Sequence, residues 1–235
     1  MFSEIAEWMP QLLSGSWMTI QLTVYSAAAG IVLALVFGLL GTSEHAWARC
    51  VARVYVEIFR GLAVLILMYW FLYSLPLLGF RLEPMVAGVT ALSLNVGAYG
   101  AEVVRGAILA VPAAQYEAAV ALNFSTAQRL RRVIIPQAWA AMLPPLTNLL
   151  IQLLKGTSLV YLITIVDLSR AADNWRGNTG DSALAYGVSL VFYFVIAQVL
   201  VLFMRWLERG ANRRLGRATP SRRAQRATLP AGGIR

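Results

Sequence analysis

Four ionisable residues stand inside apolar stretches at a spacing that could matter: Glu57 with Arg60, and Glu102 with Arg105. Each pair is three residues apart and so shares one helix face. A charge in hydrocarbon is expensive unless paired or wet, so such residues mark either ion pairs that pin helix packing or a polar route. In the second case Arg60 and Arg105 line the route with Asn95, Tyr99 and Lys155, and Thr157 and Ser158 stand beside the lysine. Nothing in the pattern supports bond-making chemistry. Lys155-Gly156-Thr157 has the wrong order for a phosphate loop, and no Gly-x-x-x-x-Gly-Lys-Ser/Thr run occurs, so this chain is not expected to bind ATP itself. His45 has no cysteine or carboxylate at ligand spacing, and Cys50 has no second cysteine to pair with. Without a nucleophile elbow or a His-Asp pairing, no catalysis, cofactor or metal is expected.

The one polar interlude of any length in the middle of the chain runs from Pro112 to Pro136. Pro112 suits the first position of a helix, and Ala113 to Leu122 are mostly strong helix formers. Asn123 stands where a helix-ending residue in the left-handed region is wanted. Ser125 with Gln128 three residues on reads as a capping box, so a second helix begins at once. A tight helix-turn-helix of this kind serves two purposes. It can place Gln128, Arg129, Arg131 and Arg132 in a DNA groove, or it can be a knuckle that a membrane protein pushes into a cytoplasmic partner. A DNA-binding unit needs a third helix to complete a core, whereas apolar spans close in on both sides here. The membrane-tethered DNA-binding regulator is therefore the remote alternative, and no nucleic acid partner is expected.

Those spans dominate the composition. Of 235 residues 59% are hydrophobic and 13% charged, against about 25% charged in soluble proteins. The runs at about 17–40, 54–78, 85–109, 137–166 and 183–207 predict five membrane helices. The fourth is too long for one crossing and is expected to break at Pro144-Pro145 and Gly156-Thr157. Residues 44–53 read as a loop, and 167–181 as an outer loop or surface helix. The acidic N-terminus lacks the positive region of a signal peptide, so the first run is expected to stay in the mature protein. Nine of the twenty Lys and Arg lie from Arg205 onward. Residues 1–210 therefore read as a membrane domain, and 211–235 as a basic, disordered tail beside anionic lipid. By the positive-inside rule the N-terminus is outside, while the helix-turn-helix and the C-terminus are cytoplasmic.

Taken as a docking knuckle, Glu117-Ala118-Ala119 followed by Asn123, Val133, Ile135 and Pro136 resembles the EAA motif of permease subunits in bacterial binding-protein-dependent ABC importers. That motif has Gly, Ile and Leu where this chain has Asn123, Val133 and Ile135. Residues 55–61, 95–106 and 155–159 are similar to the polar amino acid subfamily. That subfamily usually has Thr-Pro at Leu62-Ala63, and Asp at Gly156. The runs around 117–138 and 153–168 are most similar to one permease subunit of ectoine/hydroxyectoine importers. The resemblance implies an all-α MetI-like integral membrane fold in the bacterial inner membrane, with Glu117, Ala118, Ala119, Asn123 and Pro136 at the ATPase coupling surface. It further implies an ATP-binding subunit, a second permease subunit (identical or different) and an extracytoplasmic solute-binding protein. The solute is expected to be ectoine or hydroxyectoine, on the ground that Gly156 removes a carboxylate that would pair with an ammonium group. The alternative is glutamate, glutamine or a basic amino acid.

Overall fold

The computed structural model describes residues 2–214, and all of its regular structure is helical. The helices are α1 (Phe2–Leu40), α2 (Ala46–Gly61), α3 (Val64–Tyr69), α4 (Pro84–Leu109), α5 (Ala113–Ala121), α6 (Thr126–Arg129), α7 (Ile135–Thr157), α8 (Leu168–Thr179) and α9 (Ser182–Arg214). Of the expected tail, 211–214 continue α9 and the rest lies outside the described residues.

Three helical stretches among the described residues are long and apolar enough to cross a bilayer: Glu4–Leu40, Thr126–Thr157 and Ser182–Arg213. Five crossings are reached only if each of two bent pairs counts as one. The second expected span is one of these pairs. Its two arms, Ala46–Gly61 and Val64–Leu78, meet at 98°, because Leu62 and Ala63 are extended, with ψ of 137° and 129°. The expected loop over 44–53 is helical from Ala46. Ala48, Ala52, Tyr55 and Val56 recur at helical spacing and are buried, which holds that turn in α2.

α1 starts well before Trp17 for the same reason. Ile5, Trp8 and Leu12 form one face that packs on Leu168 and Trp175 of α8, although Glu4 and Glu7 make the stretch look unlike a span. Pro144 and Pro145 do not break α7, which runs through both. Buried Met142, Leu143, Leu146 and Leu150 hold it on either side, against a cost of about 3 kcal/mol for an interior proline. The expected break at Thr157 is present.

The centre of the bundle is α1 against α4. A Cβ on Gly38 would lie 2.6 Å from the Val104 side chain, and one on Gly100 would lie 2.6 Å from Ala34 Cβ. Only glycine permits this approach, the usual device where burial of apolar surface cannot drive association. The α1–α4 axis separates two ends. At one, the α1–α2 connection faces α5 and α6. At the other, α8 packs on the first turns of α1 and α9.

Candidate coupling surface and pathway residues

The knuckle at the first end is built from local backbone chemistry. Pro112 serves as N-cap of α5, one position before the expected N1. After Ala121 the chain reverses through Asn123, at φ 56°. The Asn123 N–H donates to the Val120 carbonyl (2.8 Å) and the Phe124 N–H to the Ala119 carbonyl (3.1 Å). These two bonds satisfy carbonyls that the helix end would leave open. The Ser125–Gln128 capping box forms in both directions, at 3.3 and 3.0 Å. Beyond it the backbone widens into a π-turn over Leu130–Ile134. Pro136 has no N–H to offer the turn before it and its ring crowds that turn, which favours the wider spacing.

Side-chain braces that sequence reasoning missed hold the knuckle together and tie α5 to α7. Gln137 Nε2 donates to Gln115 Oε1 at 3.0 Å. The Arg129 guanidinium lies 4.9 Å from the Tyr116 ring centroid and donates to Thr126 Oγ1 at 2.9 Å. Arg132 lies over Phe124. Two of the arginines considered for DNA are thus engaged in holding the turn. Of the motif residues, Ala119 is buried while Glu117, Ala118 and Asn123 are exposed. Leu122, beside them, is 67% exposed. Glu117 and Tyr116 line a groove of about 1150 Å³ whose opposite wall carries Thr42, Glu44 and His45. Sequence offered no sign of that wall, since it lies some 70 residues away in the chain.

The pathway candidates fall into two groups. Glu102 and Arg105 form the expected pair, with Arg105 Nη2 2.9 Å from Glu102 Oε2 and Nε 3.3 Å from Oε1. Glu57 and Arg60 make no ion pair. Both are exposed, and Arg60 instead sits 5.2 Å from the Tyr99 ring centroid. Asn95 is a structural clamp, its Nδ2 donating to the Phe59 carbonyl at 2.9 Å. Asn95, Tyr99 and Glu102 recur at helical spacing, so α4 presents one polar stripe against the end of α2. Lys155 and Ser158 belong elsewhere. They line a groove of about 360 Å³ between α7 and α9, with Tyr193 and Phe194 opposite. Thr157 is fully buried, its hydroxyl donating to the Leu154 carbonyl at 2.7 Å. Gly156 turns toward α4, where an added Cβ would meet Leu92 Cδ2 at 3.4 Å.

The second end holds a polar joint that sequence reasoning passed over. Asp167 is fully buried and caps α8, its Oδ1 accepting from the Arg170 N–H at 3.0 Å. Its Oδ2 accepts from the Tyr193 hydroxyl (3.2 Å), which also meets Ser169 Oγ (2.8 Å). Thr19 on α1 accepts from the Leu168 N–H at 3.2 Å. Burial pushes the Asp167 carboxyl above the usual carboxylate range, partly offset by these donors. The only hint was Asp followed by a short amphipathic helix.

Residues 14–215 match the family described as the binding-protein-dependent transport system inner membrane component. The chain belongs to that family. It is 49% identical over 205 residues to a probable amino-acid ABC transporter permease protein of Sinorhizobium fredii, covering 85% of this chain and 86% of the relative. It is 37% identical over 205 residues to the L-cystine transport system permease protein of Bacillus subtilis, covering 87% and 88%. Among solved structures, an amino acid ABC transporter crystallised with histidines matches with a TM-score of 0.81 and 33% identity, over 89% of this chain and 98% of that one. The chain is therefore an ABC importer permease subunit of MetI-like fold, an inner membrane protein. Permeases of this kind work with a separate ATP-hydrolysing subunit and a binding protein.

Proposed function

We propose that this permease subunit serves an amino acid importer. The observation that carries the substrate class is the likeness, across nearly the whole bundle, to an amino acid transporter of known structure. It favours the amino acid reading over ectoine. The geometry at Gly156 points the same way, since a carboxylate there would start out against Leu92 on α4 rather than in the Lys155 groove. Losing it says little about an ammonium ligand.

In this reading the knuckle enters a cleft on the ATPase, with Glu117 and Leu122 as contacts and Asn123 setting the turn. The Gln115–Gln137 and Arg129–Tyr116 braces carry its displacement into α7. Arg60 is the pathway residue with a free fork. Its stack on Tyr99 leaves the guanidinium edge open to a substrate carboxylate, which it can hold by two parallel bonds. Lys155 stands apart from it, in the groove between α7 and α9. A second permease subunit faces this one, the knuckle and C-terminus are cytoplasmic, and the N-terminus and α8 are outside.

The test is uptake by the importer assembled with its binding protein and ATPase. Labelled cystine, glutamine, histidine and ectoine are supplied in turn. Accumulation of one or more amino acids that excess ectoine does not compete away supports the reading. Ectoine uptake without amino acid uptake contradicts it.

A further inference from the structure

Thr164 has φ 70°, one of two non-glycine residues in the left-handed region among those described. Asn123, the other, is of a type that visits this region readily, whereas a β-branched residue there is an outlier. Its neighbours on both sides are held. Ile163 is fully buried and Ile165 nearly so, and both reach the same spot on α4, their Cδ1 atoms each 3.4 Å from where a Cβ on Gly88 would stand. The chain on each side of Thr164 is thus anchored on α4, and the left-handed turn stands between the two anchors. Thr164 is itself exposed.

This strained residue stands in the connection between α7 and α8. Before it, α7 ends at Lys155 and Ser158, in the groove they share with Tyr193. After it comes Asp167, whose carboxylate takes the Tyr193 hydroxyl and the Arg170 N–H and so ties α8 to α9. Thr19 and Gly15 close the joint from α1, and a Cβ on Gly15 would lie 2.8 Å from the Asp167 carbonyl oxygen. Tyr193 therefore has its ring on the groove wall and its hydroxyl in the joint. Strain kept in a well-packed native state is a reservoir that a second conformation can release.

We propose that the stretch from Thr157 to Asp167 is the hinge by which this end of the permease opens and closes, with Thr164 as the bending residue and the Tyr193–Asp167 hydrogen bond as the contact that holds the state seen here. The inference rests on the importer reading above. Thr164→Gly removes the strain and so favours the present state. Tyr193→Phe keeps the ring, removes the holding bond and so disfavours it. The two changes act in opposite directions on one equilibrium.

The experiment uses the complete complex in nanodiscs, in a Cys50→Ser background with Val166→Cys as reporter, since Val166 is 55% exposed and next to the joint. The rate of labelling by a membrane-impermeant maleimide is measured without nucleotide and with trapped Mg-ATP. In the parent the two rates differ. Thr164→Gly and Tyr193→Phe are expected to displace the ratio in opposite directions, Thr164→Gly by roughly five- to a hundredfold, the range set by one strained residue. If Thr164→Gly compromises assembly, Thr164→Asn substitutes for it, since asparagine also tolerates the left-handed region. A parent rate that nucleotide does not change overturns the hinge, as do variants that keep the parent ratio even if Thr164→Gly melts at higher temperature. Failure of the importer reading looks different: the parent does not assemble with the ATPase at all.

Discussion

Glu117 and Asn123 do separate jobs within six residues of one another. Asn123 supplies a backbone conformation, at φ 56°, and Glu117 an exposed carboxylate on the groove wall. Asn123→Gly is therefore expected to leave ATP-coupled uptake within about twofold of the parent, since glycine takes the left-handed region at no steric cost. Asn123→Val forces a β-branched residue into it, costs about 1–2 kcal/mol and should lower uptake sharply. Glu117→Lys should abolish coupled uptake while leaving the melting temperature of the purified protein unchanged, because the side chain is exposed and makes no internal bond. Asp167 behaves in the reverse manner. Its folded-state carboxyl titrates above the ordinary 3.8 because it is buried, so the folded chain binds a proton more tightly than the unfolded one. Stability then rises as the pH falls from the raised folded value toward 3.8, and is flat above that window. Thr19 and Tyr193 are the polar groups facing it from α1 and α9, and no basic side chain is bonded to it. Asp167→Asn keeps a good N-cap and should remove this slope and raise the melting temperature at neutral pH, measured by thermal unfolding across the pH range.

At the scale of elements, the bend after α2 is the feature most open to test. Ala63 has φ −66° and ψ 129°, a conformation proline adopts without strain, and its N–H makes no backbone bond. Leu62, next to it, donates its N–H to the Ile58 carbonyl at 3.2 Å. Ala63→Pro is therefore expected to be neutral or to stabilise by about 0.4–1 kcal/mol, and Leu62→Pro to destabilise, both read from the melting temperature. The resemblance to a subfamily with Thr-Pro at these positions thus marks a break that this chain makes without the proline. The turn of the knuckle was legible because Asn123, Ser125 and Gln128 act through local backbone chemistry that residue type alone specifies, whereas its side-chain braces depend on residues further along the chain. The bend, the early start of α1 and the helical 46–53 segment were not. They depend on which face finds a partner, and hydropathy averaged along the chain hides the helical period of Ile5, Trp8 and Leu12. The Glu57–Arg60 pair failed for a related reason, since Tyr99 on a different helix offers Arg60 a better seat. Asp167 was invisible because its significance lies in Tyr193 and Thr19, which are 26 and 148 residues away.

The described residues form a bundle with the proposed coupling surface at one end, a polar joint at the other, and a closely packed α1–α4 centre between them. Its outer face remains apolar. The most hydropathic stretch of α9 is only 11% buried within the chain, which leaves Phe194, Val199 and Phe203 for lipid or a second subunit. Motion delivered at the knuckle can reach the far end as rigid displacement of α7, because Thr126–Thr157 is one helical stretch from the capping box to the groove of Lys155. That arrangement has force only if the knuckle meets the ATPase. The direct measurement is cross-linking from Ala121→Cys, an exposed position on the last turn of α5, in a Cys50→Ser background within the assembled importer. The account predicts a cross-link from this position to the ATPase subunit that changes in yield on ATP binding. A complex that assembles and hydrolyses ATP, yet gives no cross-link between this position and the ATPase, would contradict it.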